Sequence, residues 1–173
     1  MRLILLRHAK TEKAEGGMRD RERALNARGE HDAPLIGAYI AHHELLPDLA
    51  LVSTAARARQ TWERLELPAA PAVAYEERLY NAPAPAVVAL VKETGPKVRT
   101  LLVLGHNPGL HEAARLLIAS GDVEARERLN EGLPTAGLVV IDFAGKAWSK
   151  LHPRGGRIER FVSPRLLAEA DRV

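Results

Sequence analysis

The stretch RTLLVLGHNPGLHEAARLLIAS, residues 99–120, changes its period partway along. Residues 101–104 form a continuous apolar run of the kind that a strand buried on both faces requires, whereas Leu110, Ala113, Ala114 and Leu117 recur at helical spacing. Asn107 suits a helix N-cap and Pro108 the first helical position, so the spacing predicts a strand running into a helix. His106 then stands where the one gives way to the other. A strand that feeds directly into a helix is the repeating unit of an α/β sheet with parallel strands.

Working outward, the same pattern recurs. The chain begins MRLILLRHAKTE, in which an apolar run over residues 3–6 ends abruptly in Arg7 and His8. LALVS (49–53) reads as a second buried strand, followed by a helix in TAARARQTWERLEL (54–67) that stops before Pro68. EHDAPLIGAYIAHHELL (30–46) is helical in spacing and stops before Pro47. AVAY (72–75) reads as a third strand, and PAPAVVALVKETG (83–95) as a helix with Gly95 at its carboxyl end. GLVVIDF (137–143) and AWSKLH (147–152), around Gly145 and Lys146, read as a hairpin with short helices before and after. Residues 10–29 are polar, contain a glycine pair and read as a long loop, a feature that in a compact domain points to function. The expectation is a single domain over residues 1–173, an α/β three-layer sandwich whose mainly parallel central sheet is flanked by helices.

With 173 residues, 46% of them hydrophobic, the chain can bury a proper core. It has no cysteine, which excludes disulfides, thiolate metal sites and cysteine nucleophiles, and suits a reducing compartment. The four-residue apolar run near the start is followed at once by Arg7, His8 and Lys10, so it lacks the core of a signal peptide. A cytoplasmic protein without a membrane segment is expected. The net charge of +3 hints at anionic ligands, whereas aromatic residues at 4% leave few platforms on which nucleic-acid bases could stack.

Ligands of parallel sheets sit beyond the carboxyl ends of the strands. His8 and His106 both follow apolar strands at that end, and Arg57 in STAARARQT lies just beyond the strand at 49–53. If these strands are neighbours, two histidines and two arginines converge. Arg7 and Arg57 would then bind one phosphoryl group by charge-assisted hydrogen bonds while a histidine attacks it.

LRHAKT (6–11), VSTAARARQT (52–61) and LGHNPGL (104–110) together resemble the motifs of the histidine phosphatase superfamily, which includes the phosphoglycerate mutases. The short length, RERALNARG (21–29) and LPTAGLVVID (133–142) look most like the SixA-type phosphohistidine phosphatases. The resemblance implies a phosphoglycerate mutase-like fold and a phosphatase working without cofactor or metal. It implies that His8 is the nucleophile, that Arg7 and Arg57 clamp the phosphoryl oxygens, and that His106 donates a further hydrogen bond. Arg23 would approach the phosphate from the long loop, with Arg19 and Arg21 near enough to replace it; Thr11 and Asn107 are further candidates for phosphate or water contacts. The substrate would be a phosphorylated protein, such as a histidine-phosphotransfer domain, or a small phosphorylated molecule.

The pattern departs from the family in two places. Ala9 follows the nucleophile where glycine is common, and Asn81 stands near the place where ester-cleaving members keep a carboxylate to protonate the leaving group. Glu76 and Glu77 lie slightly earlier and could serve only if the loop bends suitably. Imidazole, with a free pKa of about 6.5, leaves readily once protonated, so a missing acid favours a phosphoramidate substrate. Two rivals remain: a phosphomonoesterase for small metabolites with Glu77 as acid, and a phosphoprotein-binding module without turnover, for which His8 would be superfluous. His111 lies five residues after His106, out of register for two ligands on one helical face, and no metal-binding motif occurs. His31, His42, His43 and His152 are read as structural or solvated.

Overall fold

The computed structural model describes residues 1–172. Its centre is one seven-stranded sheet, formed by β1 (Arg2–Arg7), β2 (Leu49–Ser53), β3 (Ala72–Glu76), β4 (Thr100–Gly105), β5 (Ile118–Gly121), β6 (Leu138–Phe143) and β7 (Gly156–Val162). The strand order is β3-β2-β4-β1-β6-β7-β5. Strands β3, β2, β4 and β1 are mutually parallel, as are β5 and β7, while β6 runs antiparallel to both its neighbours. Six helices accompany the sheet: α1 (Ala27–His42), α2 (Ala56–Arg64), α3 (Ala84–Lys92), α4 (Gly109–Leu117), α5 (Val123–Glu131) and α6 (Pro164–Ala170).

The continuous apolar run of β1 explains the three layers. Residues Leu3 to Leu6 are all fully buried, and because side chains alternate along a strand they serve two cores. Leu3 and Leu5 pack with residues of α3, α4 and α5 such as Val91, Leu110 and Leu129, whereas Ile4 and Leu6 pack with Ile36 and Ile40 of α1 and Ala58 of α2. A strand sandwiched in this way can present polar groups only at its ends.

Several details differ from the sequence reading. The helix beginning after His106 stops at Leu117, and residues 118–121 peel away as β5 to pair with β7. Their apolar character reflects burial beside a strand rather than continuation of the helix. Asn107 is not the N-cap: the cap position falls on Pro108, without a side-chain hydrogen bond, and the Asn107 amide instead donates to the Leu133 carbonyl at 2.8 Å. The hairpin partner of β6 is β7 rather than residues 147–152, where a 3-10 turn (Trp148–Lys150) buries the Trp148 ring. Helix α1 starts earlier than the spacing suggests, at Ala27, because Asn26 caps it by accepting from the Gly29 N–H at 2.9 Å. It also ends earlier, at His42.

The long loop is tied back to the strand it follows. Thr11 pairs with Leu25 in an isolated antiparallel bridge, and the Asn26 N–H donates to the Lys10 carbonyl at 3.0 Å. Gly29 makes this closure possible, since a Cβ there would lie 2.1 Å from the Lys10 oxygen. Gly29→Ala should therefore destabilise the fold by about 1–3 kcal/mol, the usual range for overpacking, despite the better helix propensity of alanine, because a backbone oxygen cannot rotate away. Urea denaturation checks this, and a raised midpoint would contradict the assigned closure.

Candidate active site

The register of the parallel strands sets the site. Arg7 pairs with Gly105 across β1 and β4, and the His8 N–H donates to the Gly105 carbonyl at 3.2 Å. Each chain leaves the sheet one residue later, so His8 and His106 emerge side by side with ring centroids 5.2 Å apart. On the other flank of β4, Val52 pairs with Leu104, which puts Ser53 next to His106 and carries the chain into α2 with Arg57 in its first turn. Arg7, His8, Arg57 and His106 all line a cleft of about 720 Å³ together with Lys10, Thr11, Asp20, Arg23, Asn81, Asn107 and Thr135.

His8 is buried, and its Nδ1 lies 2.8 Å from the Ala9 carbonyl oxygen. A carbonyl only accepts, so Nδ1 carries the proton and Nε2 keeps its lone pair. Burial lowers the His8 pKa to about 3, and the nearby His106, Arg57 and Arg7 push the same way against the opposing bond to Ala9. His106 is likewise held neutral, with a pKa lowered to about 4 by burial and then by Arg57. The Ala9 N–H donates to the Thr61 hydroxyl, which in turn donates to the Arg57 carbonyl, so the turn after His8 is pinned to α2.

The arginines are anchored by one edge each. Arg7 donates from Nη1 to the Leu133 carbonyl at 3.1 Å, and Arg57 donates from Nη1 to the Asp20 carbonyl at 2.8 Å and from Nη2 to the Asp20 carboxylate at 3.1 Å. The Nε atoms of both, and Nδ1 of His106, are buried without a hydrogen-bond partner. Buried polar nitrogens left unpaired are costly, and three of them on residues that line one cleft suit an anion.

Among the three loop arginines, Arg23 reaches the cleft. It donates from Nε to Asp20 at 3.0 Å and from Nη1 to the Thr11 hydroxyl at 3.2 Å. Arg21 turns instead to Glu77, with both contacts at 2.5 Å, and lies 4.7 Å from the Tyr80 ring centre; Arg19 does not line the cleft. Glu77 also accepts from the Thr54 hydroxyl, and these bonds, Arg21 foremost, hold its pKa at about 2. Glu76 accepts from the Arg78 guanidinium and backbone N–H. Neither carboxylate lines the cleft, whereas Asn81 does, as do Glu12 and Glu15 of the long loop. His111 bonds the Leu129 carbonyl through Nε2, away from the cleft.

Three contributors escaped the sequence reading. Asp20 binds Arg23, Arg57 and, at 2.6 Å, the Tyr80 hydroxyl; Tyr80 also stands edge-on to His106, with centroids 5.7 Å apart. Ser53, fully buried, lies 2.7 Å from Nε2 of His106. The position of Asp20 three residues before Arg23 was the one available signal. Among the described residues, no group of three or more His, Asp and Glu side chains is placed to hold a metal ion. No helix among them is long and apolar enough to cross a membrane.

The family model of the histidine phosphatase superfamily (branch 1) matches residues 3–83, the span that contains Arg7, His8 and Arg57. A structure from Agrobacterium tumefaciens, assigned as the phosphohistidine phosphatase SixA, superposes with a TM-score of 0.80 at 32% identity, covering 94% of this chain and 97% of that one. The chain belongs to the histidine phosphatase superfamily. Another structure assigned to SixA, from Nakamurella multipartitia, is 26% identical with a TM-score of 0.78, over 94% of this chain and 95% of the other. An uncharacterized protein of Mycobacterium tuberculosis is 37% identical over 162 residues, 92% of this chain and its own full length. This histidine phosphatase thus has the phosphoglycerate mutase-like architecture that its motifs imply.

Because both cleft imidazoles have lowered pKa values, NMR titration of His8 and His106 should show no protonation step above about pH 5. A step near the unperturbed value of about 6.5 would contradict the assigned burial. Between that value and the folded ones the unfolded chain binds more protons, so this contribution to stability is present above about pH 6.5 and lost as the pH falls.

Proposed function

We propose that this phosphatase removes the phosphoryl group from phosphohistidine on a protein, through a covalent intermediate on His8, and that residues 1–173 act as one catalytic domain. The observation that carries the reading is that Arg7, Arg57 and His106, each with a buried nitrogen lacking a partner, line one cleft with His8, whose Nδ1 is committed to the Ala9 carbonyl and whose Nε2 keeps its lone pair. In the proposed reaction Nε2 attacks phosphorus and the bond from phosphorus to the substrate imidazole breaks. The electron pair of that bond stays on the departing nitrogen, whose ring is neutral on release if it entered protonated. Water then attacks phosphohistidine 8, releasing phosphate and restoring the neutral ring. Negative charge spread over three phosphoryl oxygens would be met by Arg7, Arg57, Arg23 and His106, already oriented before substrate arrives.

The leaving group decides between protein phosphohistidine and a phosphate ester. An alkoxide needs an acid; Glu77 is held ionised by Arg21 and Thr54 outside the cleft, Asp20 within it is paired with Tyr80, Arg57 and Arg23, and the other cleft carboxylates, Glu12 and Glu15, are exposed on the loop, which favours a leaving group that is stable without a fixed acid. The 32% identity to the Agrobacterium tumefaciens structure supports the same choice. A binding module without turnover would have no use for a buried imidazole whose Nε2 is kept unprotonated. A histidine-phosphotransfer domain is the kind of partner that presents such a substrate. A chain without cysteine suits the reducing cytoplasm, where the reading places it.

His8→Ala should abolish turnover while leaving binding of tungstate, a tetrahedral phosphate mimic, measurable by calorimetry, because nucleophile and clamp are separate roles. Undiminished turnover would rule out the covalent route. Glu77→Gln should alter hydrolysis of a phosphohistidine protein by less than about threefold. A selective loss of roughly 10²–10⁴-fold on an alkyl phosphate, the range of general acid catalysis, joined to high parent activity on that ester, would instead favour a metabolite phosphatase.

A further inference from the structure

Ser53 and His106 share one short contact whose direction matters. The serine hydroxyl lies 2.7 Å from Nε2 of His106 and accepts from the Ala55 N–H at 3.3 Å, while Nδ1 of His106 is buried without a partner. A neutral imidazole has a single N–H, so two arrangements compete. If Nε2 carries the proton, the fully buried serine proton loses its acceptor, and Nδ1, partnerless on a residue that lines the cleft, has only a lone pair where a phosphoryl oxygen needs a donor. If Ser53 donates to Nε2, then Nδ1 carries the proton and becomes a donor. Only the second arrangement satisfies the Ala55 N–H, the serine hydroxyl and the imidazole together once an anion is bound.

We infer that Ser53 is a positioning residue that fixes His106 in the Nδ1–H tautomer, converting a neutral imidazole into a hydrogen-bond donor for a phosphoryl oxygen. The inference rests on the reading of the cleft as a phosphoryl site. It goes beyond that reading in assigning the proton to one ring nitrogen and its control to a residue outside the cleft. Control by a hydroxyl is needed because protonating the ring, the alternative way of making Nδ1 a donor, is opposed in this setting, first by burial and then by the charges of Arg57, Arg7 and Arg23, with Asp20 acting the other way, and the ring packs against His8 and Tyr80.

The tautomer is read directly from long-range proton–nitrogen NMR correlations, with the His106 signals assigned by their loss in His106→Gln. The free parent protein should show the proton on Nδ1, and a proton on Nε2 would overturn the inference whether or not any variant folds. Ser53→Ala should shift His106 toward a mixture of tautomers and weaken tungstate binding at pH 7.5 by about tenfold, the effect of losing one hydrogen bond to a charged group. Ser53→Thr, which keeps the hydroxyl, should restore the Nδ1–H signal. Parent-like affinity and an unchanged tautomer in Ser53→Ala would also overturn it. Failure of the parent to bind tungstate would count against the phosphoryl site itself, and the tautomer in the free protein would still decide the role of Ser53.

Discussion

The parallel pairing of β1 with β4, in a register that opposes Arg7 to Gly105, governs this structure. Each strand is sealed on both faces by apolar side chains, so its polar chemistry is confined to the point where it leaves the sheet. Two strands ending level with one another deliver two imidazoles to one place. A slip by one residue would send Leu3 and Leu5 to the opposite core and separate His8 from His106, which couples the core packing to the site geometry.

Gathering cationic side chains in a buried cleft carries an electrostatic cost, and the fold offsets it with a carboxylate. Asp20 reaches in from the loop between β1 and α1, where it meets Arg23, Arg57 and Tyr80. The histidines respond differently. With burial and positive charge both acting against protonation they remain neutral, as the proposed roles of nucleophile for His8 and neutral donor for His106 require. Glu77, paired with Arg21 on the rim, stays ionised outside the cleft.

The residues legible in the sequence were those whose type is unusual for their place. An arginine and histidine ending an apolar strand, a second histidine between strand and helix, and an arginine beyond a third strand all converge as their positions suggest. Ser53, Asp20 and Tyr80 were not legible, because a serine at a strand end or an aspartate in a charged loop is ordinary. Their significance comes from neighbours 53, 37 and 60 residues away in sequence. The same limit explains β5, whose apolar residues continue the preceding helical run, and the partner of β6. In GRIERFV, residues 156–162, charged side chains hide the alternation of a strand, so the nearer apolar segment around Trp148 looked the better match.

The carboxylate in the cleft also makes ligand capture an exchange. A ligand seeking the Arg57 Nη2 must displace an anion that is covalently part of the loop and therefore present at high effective concentration. Dissolved chloride or acetate, with one charge and no tether, competes poorly with it. A phosphoryl dianion brings twice the charge and three oxygens that can engage several donors at once. On the proposed reading the resting cleft is a filter on charge density, with its own side chain setting the threshold that an incoming anion has to exceed.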